Sequence, residues 1–113
     1  MARKRVRLSQ RAERDLDNAT MYLAGESSID LALRFYAAAH DAFDYLIRYP
    51  EIGQRYLDAA ITIPGVRRWQ VRGFEKYLIF YRPDNTSIHI LRILHGSRDI
   101  NAHLLEDGWD EQD

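Results

Sequence analysis

Apolar positions recur every three to four residues through the first half of the chain and alternate through much of the third quarter. That change of period separates a helical part from a strand part. Residues 3–8 alternate basic and apolar, Val6 and Leu8 against Arg3, Arg5 and Arg7, as a half-exposed edge strand does. Ser9 then offers an N-cap, and Ala12, Leu16, Ala19 and Leu23 form the stripe of an amphipathic helix that stops near Gly25. A second start at Ser27 and Ser28 opens a run to Tyr49 free of Gly and Pro. In it Ala32, Tyr36, Ala39, Phe43 and Leu46 form the stripe expected to face the core. A second series, Phe35, Ala38, Ala42 and Tyr45, lies about a third of a turn away and widens the apolar arc. Pro50 ends this helix, because it biases Tyr49 out of the α region and supplies no backbone donor.

Residues 51–65 read as a partly packed connection, with Gly53, Pro64 and Gly65 as breakers and Tyr56, Leu57, Ile61 and Ile63 as apolar anchors. Strands are predicted at residues 66–72, 77–82 and 87–95, with turns at 73–75 and 83–85. The first puts Trp69 and Val71 on one face and Arg68, Gln70 and Arg72 on the other. The second is apolar on both faces and should be the middle of the sheet. Strict alternation in the third places Ile88, Ile90, Arg92 and Leu94 on one face, and His89, Leu91, Ile93 and His95 on the other. Ser97 can cap a short last helix carrying Ile100 and Leu104. The order β-α-α-β-β-β-α predicts an α+β domain, a helical hairpin packed on a small antiparallel sheet.

A chain of 113 residues supports one core, so residues 1–113 are read as a single domain, with an acidic tail from about residue 106. No apolar run approaches the ~20 residues that a bilayer span requires, which excludes a membrane helix. The basic start at Arg3, Lys4 and Arg5 leads into no apolar core of an export signal. Cysteine is absent, which excludes disulfides, thiol nucleophiles and thiolate metal sites and fits a cytoplasmic location. The formal charge of −1 conceals a division. Six of the 17 acids fall in residues 99–113, which hold no Lys or Arg, so the preceding residues carry 16 bases against eleven acids. The body is basic and the ending acidic.

Taken in order, Leu8-Ser9 leading to Ala12, Asp15, Leu16 and Tyr22, then Ala32, Phe35, Phe43, Leu46, Pro50 and Gly53, form the first half of a family resemblance. Pro64-Gly65-Val66-Arg67, the run from Tyr77 to Arg82, and Ile90-Leu91-Arg92-Ile93-Leu94-His95-Gly96-Ser97-Arg98-Asp99 form the second. Over nearly the whole chain this resembles the RelE/ParE toxin superfamily of bacterial type II toxin-antitoxin modules, and the ParE branch most. The resemblance implies a cytoplasmic toxin held inactive in a hetero-oligomer by a ParD-like antitoxin whose C-terminal segment wraps it. It further implies DNA gyrase as the target, poisoned by a contact that needs no chemistry from this chain. The RelE-type alternative is ribosome-dependent cleavage of mRNA, which requires positioned bases, acids and phosphate-holding cations.

The surplus apolar arc, Phe35, Ala38, Ala42 and Tyr45, is the candidate antitoxin contact, the competing explanation being cover by residues 56–63. Arg68, Arg72, Arg92, His95 and Tyr81 are the one plausible nuclease set, yet regular strands do not let them converge. Arg92 among isoleucines calls for a carboxylate partner such as Asp15 or Asp99. Arg68, Arg72, Arg92, His95 and Arg98 are the candidate contacts to a target or a nucleic acid, although Arg98-Asp99 has a simpler role in opening a helix. His40, His89 and His103 lack metal-ligand spacing, and no Gly-rich phosphate loop occurs, so neither metal nor cofactor is indicated. A general RNA-binding module is disfavoured by the near-zero total charge and kept open by Arg3, Lys4, Arg5 and Arg7.

Overall fold

Two serines start the two long helices. In the computed structural model, which describes residues 4–57, 64–97, 100 and 104, the Ser9 hydroxyl accepts the Ala12 N–H at 2.9 Å and opens α1 (Gln10–Glu26). Ser28 accepts the Leu31 N–H at 3.0 Å and opens α2 (Ile29–Arg48). Each side chain satisfies one of the donors that a helix start leaves without an intrahelical partner. Ahead of them runs β1 (Arg5–Leu8), and after them β2 (Gln54–Arg55), β3 (Arg67–Val71), β4 (Phe74–Pro83) and β5 (Ser87–His95).

The five strands form one sheet in the order β1-β5-β4-β3-β2. The edge position of β1 and the central position of β4 agree with the sequence pattern. The expectation of an antiparallel sheet is corrected: β1 pairs with β5 in parallel, so the sheet is mixed. Val6 lies beside Ile88 and Leu8 beside Ile90, and this alignment puts four apolar side chains on the face under the helices. A slip of one residue would expose Val6 and Leu8. The sequence pattern also misses β2, whose two residues pair with Arg67 and Arg68 of β3. Ile100 and Leu104 are both helical, as expected of the last element; the residues between them lie outside the described set.

Both faces of the sheet are covered at its centre. Under the helices, Ala12, Leu16, Phe35, Ala39, Phe43 and Leu46 pack with Val71, Ile79, Tyr81, Ile88, Ile90 and Ile93. On the opposite face, Val66, Phe80, Leu91, Leu94 and Leu104 form a second cluster, edged by Tyr56, Leu78 and Ile100. Strict alternation in β5 fails at one point. Phe80 faces Arg92 but Tyr81 faces Ile90, so Leu91 is the extra residue of a β-bulge. The bulge shifts the phase, and Ile93 joins Ile88 and Ile90 under the helices while Leu91 and Leu94 share the far side. In α2 the core stripe is likewise rotated: Phe35 and Ala42 are buried, whereas Tyr36, expected inside, is 41% exposed.

Candidate functional site

Between α2 and the β3–β4 hairpin lies a groove of about 590 Å³, lined by Ala38, Ala42, Tyr45 and Arg48 on the helix and by Trp69, Gln70, Arg72 and Glu75 on the hairpin. Tyr45 stacks on Trp69 with ring centroids 5.8 Å apart and planes 12° apart, and tilts against Tyr49 at 4.9 Å. Tyr45, Tyr49 and Tyr36 are all more than a third exposed, so α2 presents aromatic surface outward. Of the four helix residues singled out by the sequence, Ala38, Ala42 and Tyr45 line this groove. Phe35 lies beneath it as a core residue, 0% exposed, edge-on to Phe74 and tilted against Tyr77 at 4.7 Å.

A second hollow, of about 650 Å³, opens between α1 and the end of β5. Asp15, Asn18 and Tyr22 line one wall, and Tyr77, Arg92, His95 and Ser97 the other. Its chemistry follows from how the sheet edge is finished. Because β1 ends at Leu8, the stretch of β5 beyond Ile90 has no strand beside it there. The first turns of α1 take over: Ser9 donates its N–H to the Ile90 carbonyl at 3.0 Å and its hydroxyl to the Leu91 carbonyl at 2.8 Å. Asp15 accepts the Ile93 N–H at 2.9 Å. The same carboxylate receives Arg92 in a bidentate pair, Nε at 2.8 Å and Nη2 at 3.0 Å. Both side chains are nearly buried, at 7% and 13% exposure. Asp15, one of the two carboxylates expected for Arg92, thus serves backbone and guanidinium together.

His95 closes the hollow. Its Nδ1 accepts the Ser97 N–H at 3.1 Å and lies 2.7 Å from the Ser97 hydroxyl, an arrangement that suits the tautomer protonated at Nε2. Its ring meets Tyr77 edge-on at 5.1 Å.

The other candidates stand elsewhere. Tyr81 is fully buried; its hydroxyl donates to the Pro50 carbonyl and accepts the Gly53 N–H, both at 2.9 Å, and burial pushes its phenol pKa up. Arg67 reinforces this latch by donating to the carbonyls of Glu51 at 3.1 Å and Gly53 at 2.8 Å. Arg68 is held by the Gln54 amide oxygen at 2.8 Å and, lying opposite Phe80, sits on the other sheet face from Tyr81. Arg72 belongs to the first groove, and Arg98 lies outside the described residues. Of the nuclease set, then, the structure brings together Arg92 and His95 alone. Sequence reasoning missed the Tyr81 latch and the Trp69 floor; Gly53 was the one signal of the latch, as a glycine close to an aromatic strand. Among the described residues no group of three metal-ligating side chains converges, and no helix is long and apolar enough to cross a membrane.

Three comparisons bear on this geometry. The family model described as the ParE toxin of type II toxin-antitoxin system, parDE, matches residues 6–100. Among solved structures, the chain is similar to one described as the chromosomal ParDE TA system from P. aeruginosa, with a TM-score of 0.67 and 19% identity. The likeness covers 82% of this chain and 96% of that one, and at such identity it speaks for the fold. No curated protein matches.

Proposed function

This chain belongs to the ParE toxin family of type II toxin-antitoxin systems, and from that membership we propose that it acts in the cytoplasm by binding and poisoning DNA gyrase, not by catalysis. A ParD-like antitoxin neutralises it in a hetero-oligomer by laying an amphipathic segment along α2.

The observation that carries the reading is the dispersal of the candidate nuclease residues. Arg68 and Tyr81 lie on opposite faces of the sheet, Tyr81 is sealed in the core, Arg72 lines the separate α2 groove, and Arg92 is held by Asp15. RNA cleavage of the RelE type needs such groups gathered on one phosphate. The groove beside α2 supports the antitoxin half of the proposal. Its stacked Tyr45 and Trp69, flanked by the small Ala38 and Ala42, suit the apolar face of a partner helix, and Asp41, Asp44 and Glu75 supply a polar rim. Arg68, Arg72 and His95 are left as the described candidates for target contact, while Arg92, beside His95, is held by Asp15.

A gyrase supercoiling assay run beside an mRNA cleavage assay on translating ribosomes tests the reading. Accumulation of cleaved DNA on gyrase, reversed by the antitoxin, is the expected result. Loss of mRNA at codon boundaries with normal gyrase activity would establish the RelE-type reaction instead.

A further inference from the structure

The hollow between α1 and the end of β5 keeps polar groups open that the toxin reading does not use. His95 commits Nδ1 to Ser97, which leaves its Nε2–H with no partner among the described residues. On the facing wall, the Asn18 amide and the Tyr22 hydroxyl make no hydrogen bond with any described residue. Asn18 and Tyr22 stand about one turn apart on α1 and so share a side of it. The Tyr22 ring is 61% exposed and meets no other described ring, so it has a face open for stacking.

The floor and the opposite wall are fixed in advance. Asp15 binds Arg92 at 2.8 and 3.0 Å and takes the Ile93 N–H at 2.9 Å, while Ser9 donates to the carbonyls of Ile90 and Leu91. These bonds tie α1 to β5. Tyr77 is wedged between Phe35 at 4.7 Å and His95 at 5.1 Å, which steadies the wall across from Tyr22. A site whose walls are already ordered loses little of its binding energy in ordering them.

The chemistry of the hollow selects its ligand. A phosphate calls for a cation not already held by an acid, and the guanidinium on the floor is held by Asp15. A tyrosine or tryptophan side chain from a protein carries one polar atom and would cover the other open groups unsatisfied. A nucleobase offers a flat face to Tyr22 and has donors and acceptors around its edge for an amide and an imidazole N–H. We propose that the hollow binds one unpaired nucleobase, stacked on Tyr22 and hydrogen-bonded along its edge by Asn18 and the His95 Nε2–H. The base must be unpaired, because a duplex hides both its face and its pairing edge. At about 650 Å³ the hollow falls within the size of small-ligand sites, roughly 300–1,000 Å³. It is separate from the α2 groove, no bond is made or broken in it, and the proposal does not rest on gyrase being the target that His95 contacts.

The test titrates adenosine, adenosine monophosphate and inorganic phosphate into the purified full chain and follows backbone amides by NMR. Adenosine should give saturable shifts centred on Asn18, Tyr22 and His95, and the monophosphate should bind within about threefold of it at any salt concentration, since no counterions are displaced. Phosphate alone should shift nothing there. Tyr22→Ala should bind about tenfold more weakly through loss of the stacking ring, whereas Tyr22→Phe, which keeps the ring, should retain most of the affinity. Asn18→Ala should weaken binding by about fivefold through one lost edge contact. Arg34→Gln, on the exposed side of α2 and paired with Asp30 at the surface, should bind as the unaltered chain does. Tyr22 and Asn18 are both exposed, and the amide spectrum of each variant reports whether it folds. A short deoxyadenosine oligonucleotide that binds more tightly than the monophosphate assigns the base to a single strand, and equal affinity assigns it to a free nucleotide. Absence of saturable shifts, phosphate acting as the monophosphate does, shifts centred on Tyr45 and Trp69, or a folded Tyr22→Ala that binds as the parent does would each overturn the proposal. None of these results alters the gyrase assay, which reads a different activity.

Discussion

Asp15, on the second turn of α1, holds Arg92 by the Nε and Nη2 donors of one guanidinium edge while accepting the Ile93 N–H, so one carboxylate joins the first helix to the last strand. Asp15→Ala would leave a guanidinium that is 7% exposed without this partner and one strand N–H unpaired. A loss of roughly 3 kcal/mol is expected for breaking such a pair. Urea unfolding of the two single variants and of Asp15→Ala/Arg92→Ala gives the coupling. If the losses of the two single variants add up to that of the double, the pair is not the link described.

Gly53 and Tyr81 form the second joint. A Cβ on Gly53 would stand 2.6 Å from Tyr81 Cε1 and 2.9 Å from the Arg68 carbonyl oxygen, and that oxygen is backbone, which cannot swing aside. Gly53→Ala should therefore lower the melting temperature by more than Tyr81→Phe, which costs about 1–3 kcal/mol through the unpaired groups it leaves. A fully tolerated alanine would mean that the connection after α2 is not held against β4.

The buried phenol also sets an alkaline limit. Burial raises the Tyr81 pKa in the folded chain, so its contribution to stability is complete below the unfolded value near 10 and is lost as pH rises through the folded one. Melting temperature followed from pH 8 to 11 should fall more steeply for the parent than for Tyr81→Phe. Equal slopes would remove Tyr81 from the account.

Asp84 acts at the opposite end of the scale. The Thr86 N–H, then the His89 ring, hold its carboxyl well below the usual carboxylate range. A depressed pKa contributes stability above the unfolded value near 4, and that contribution is lost as pH falls. Asp84→Asn should flatten the acid limb of the melting curve by a small amount, since the side chain is 49% exposed and water screens the pair. A limb as steep as that of the parent would argue against the turn as its source.

Placement in α2 separates a groove residue from a core one. Tyr45→Ala should weaken antitoxin binding at least tenfold, measured by calorimetry, with little change in melting temperature. Phe35→Ala should destabilise the chain by about 3–5 kcal/mol, because it empties space between the helix and Phe74. The reverse pattern would mean that α2 meets its partner by another face.

The local signals in the sequence proved readable. Ser9 and Ser28 cap where their spacing to the apolar stripes says they should, β4 is central because it is apolar on both sides, and Arg92 has one of its two expected acids. What was hidden depends on contacts between distant segments. Nothing near residue 6 says that β1 will run parallel to β5, since that is decided by where the chain returns after five intervening elements. The extra residue at Leu91 breaks a period-2 pattern without Gly or Pro to mark it, so Ile93 and Leu94 exchange faces. Tyr36 and Phe35 are adjacent apolar candidates, and only the helix's rotation on the sheet chooses between them. The candidate site suffered most from this, because grooves are made by neighbours in space.

The parallel pairing of β1 with β5 has a bearing on synthesis. Once made, β1 must wait for β5 before it has anything to pair with, and closure across such a separation in sequence is slow. A nascent chain therefore keeps this edge of its sheet unfinished until β5 has been made.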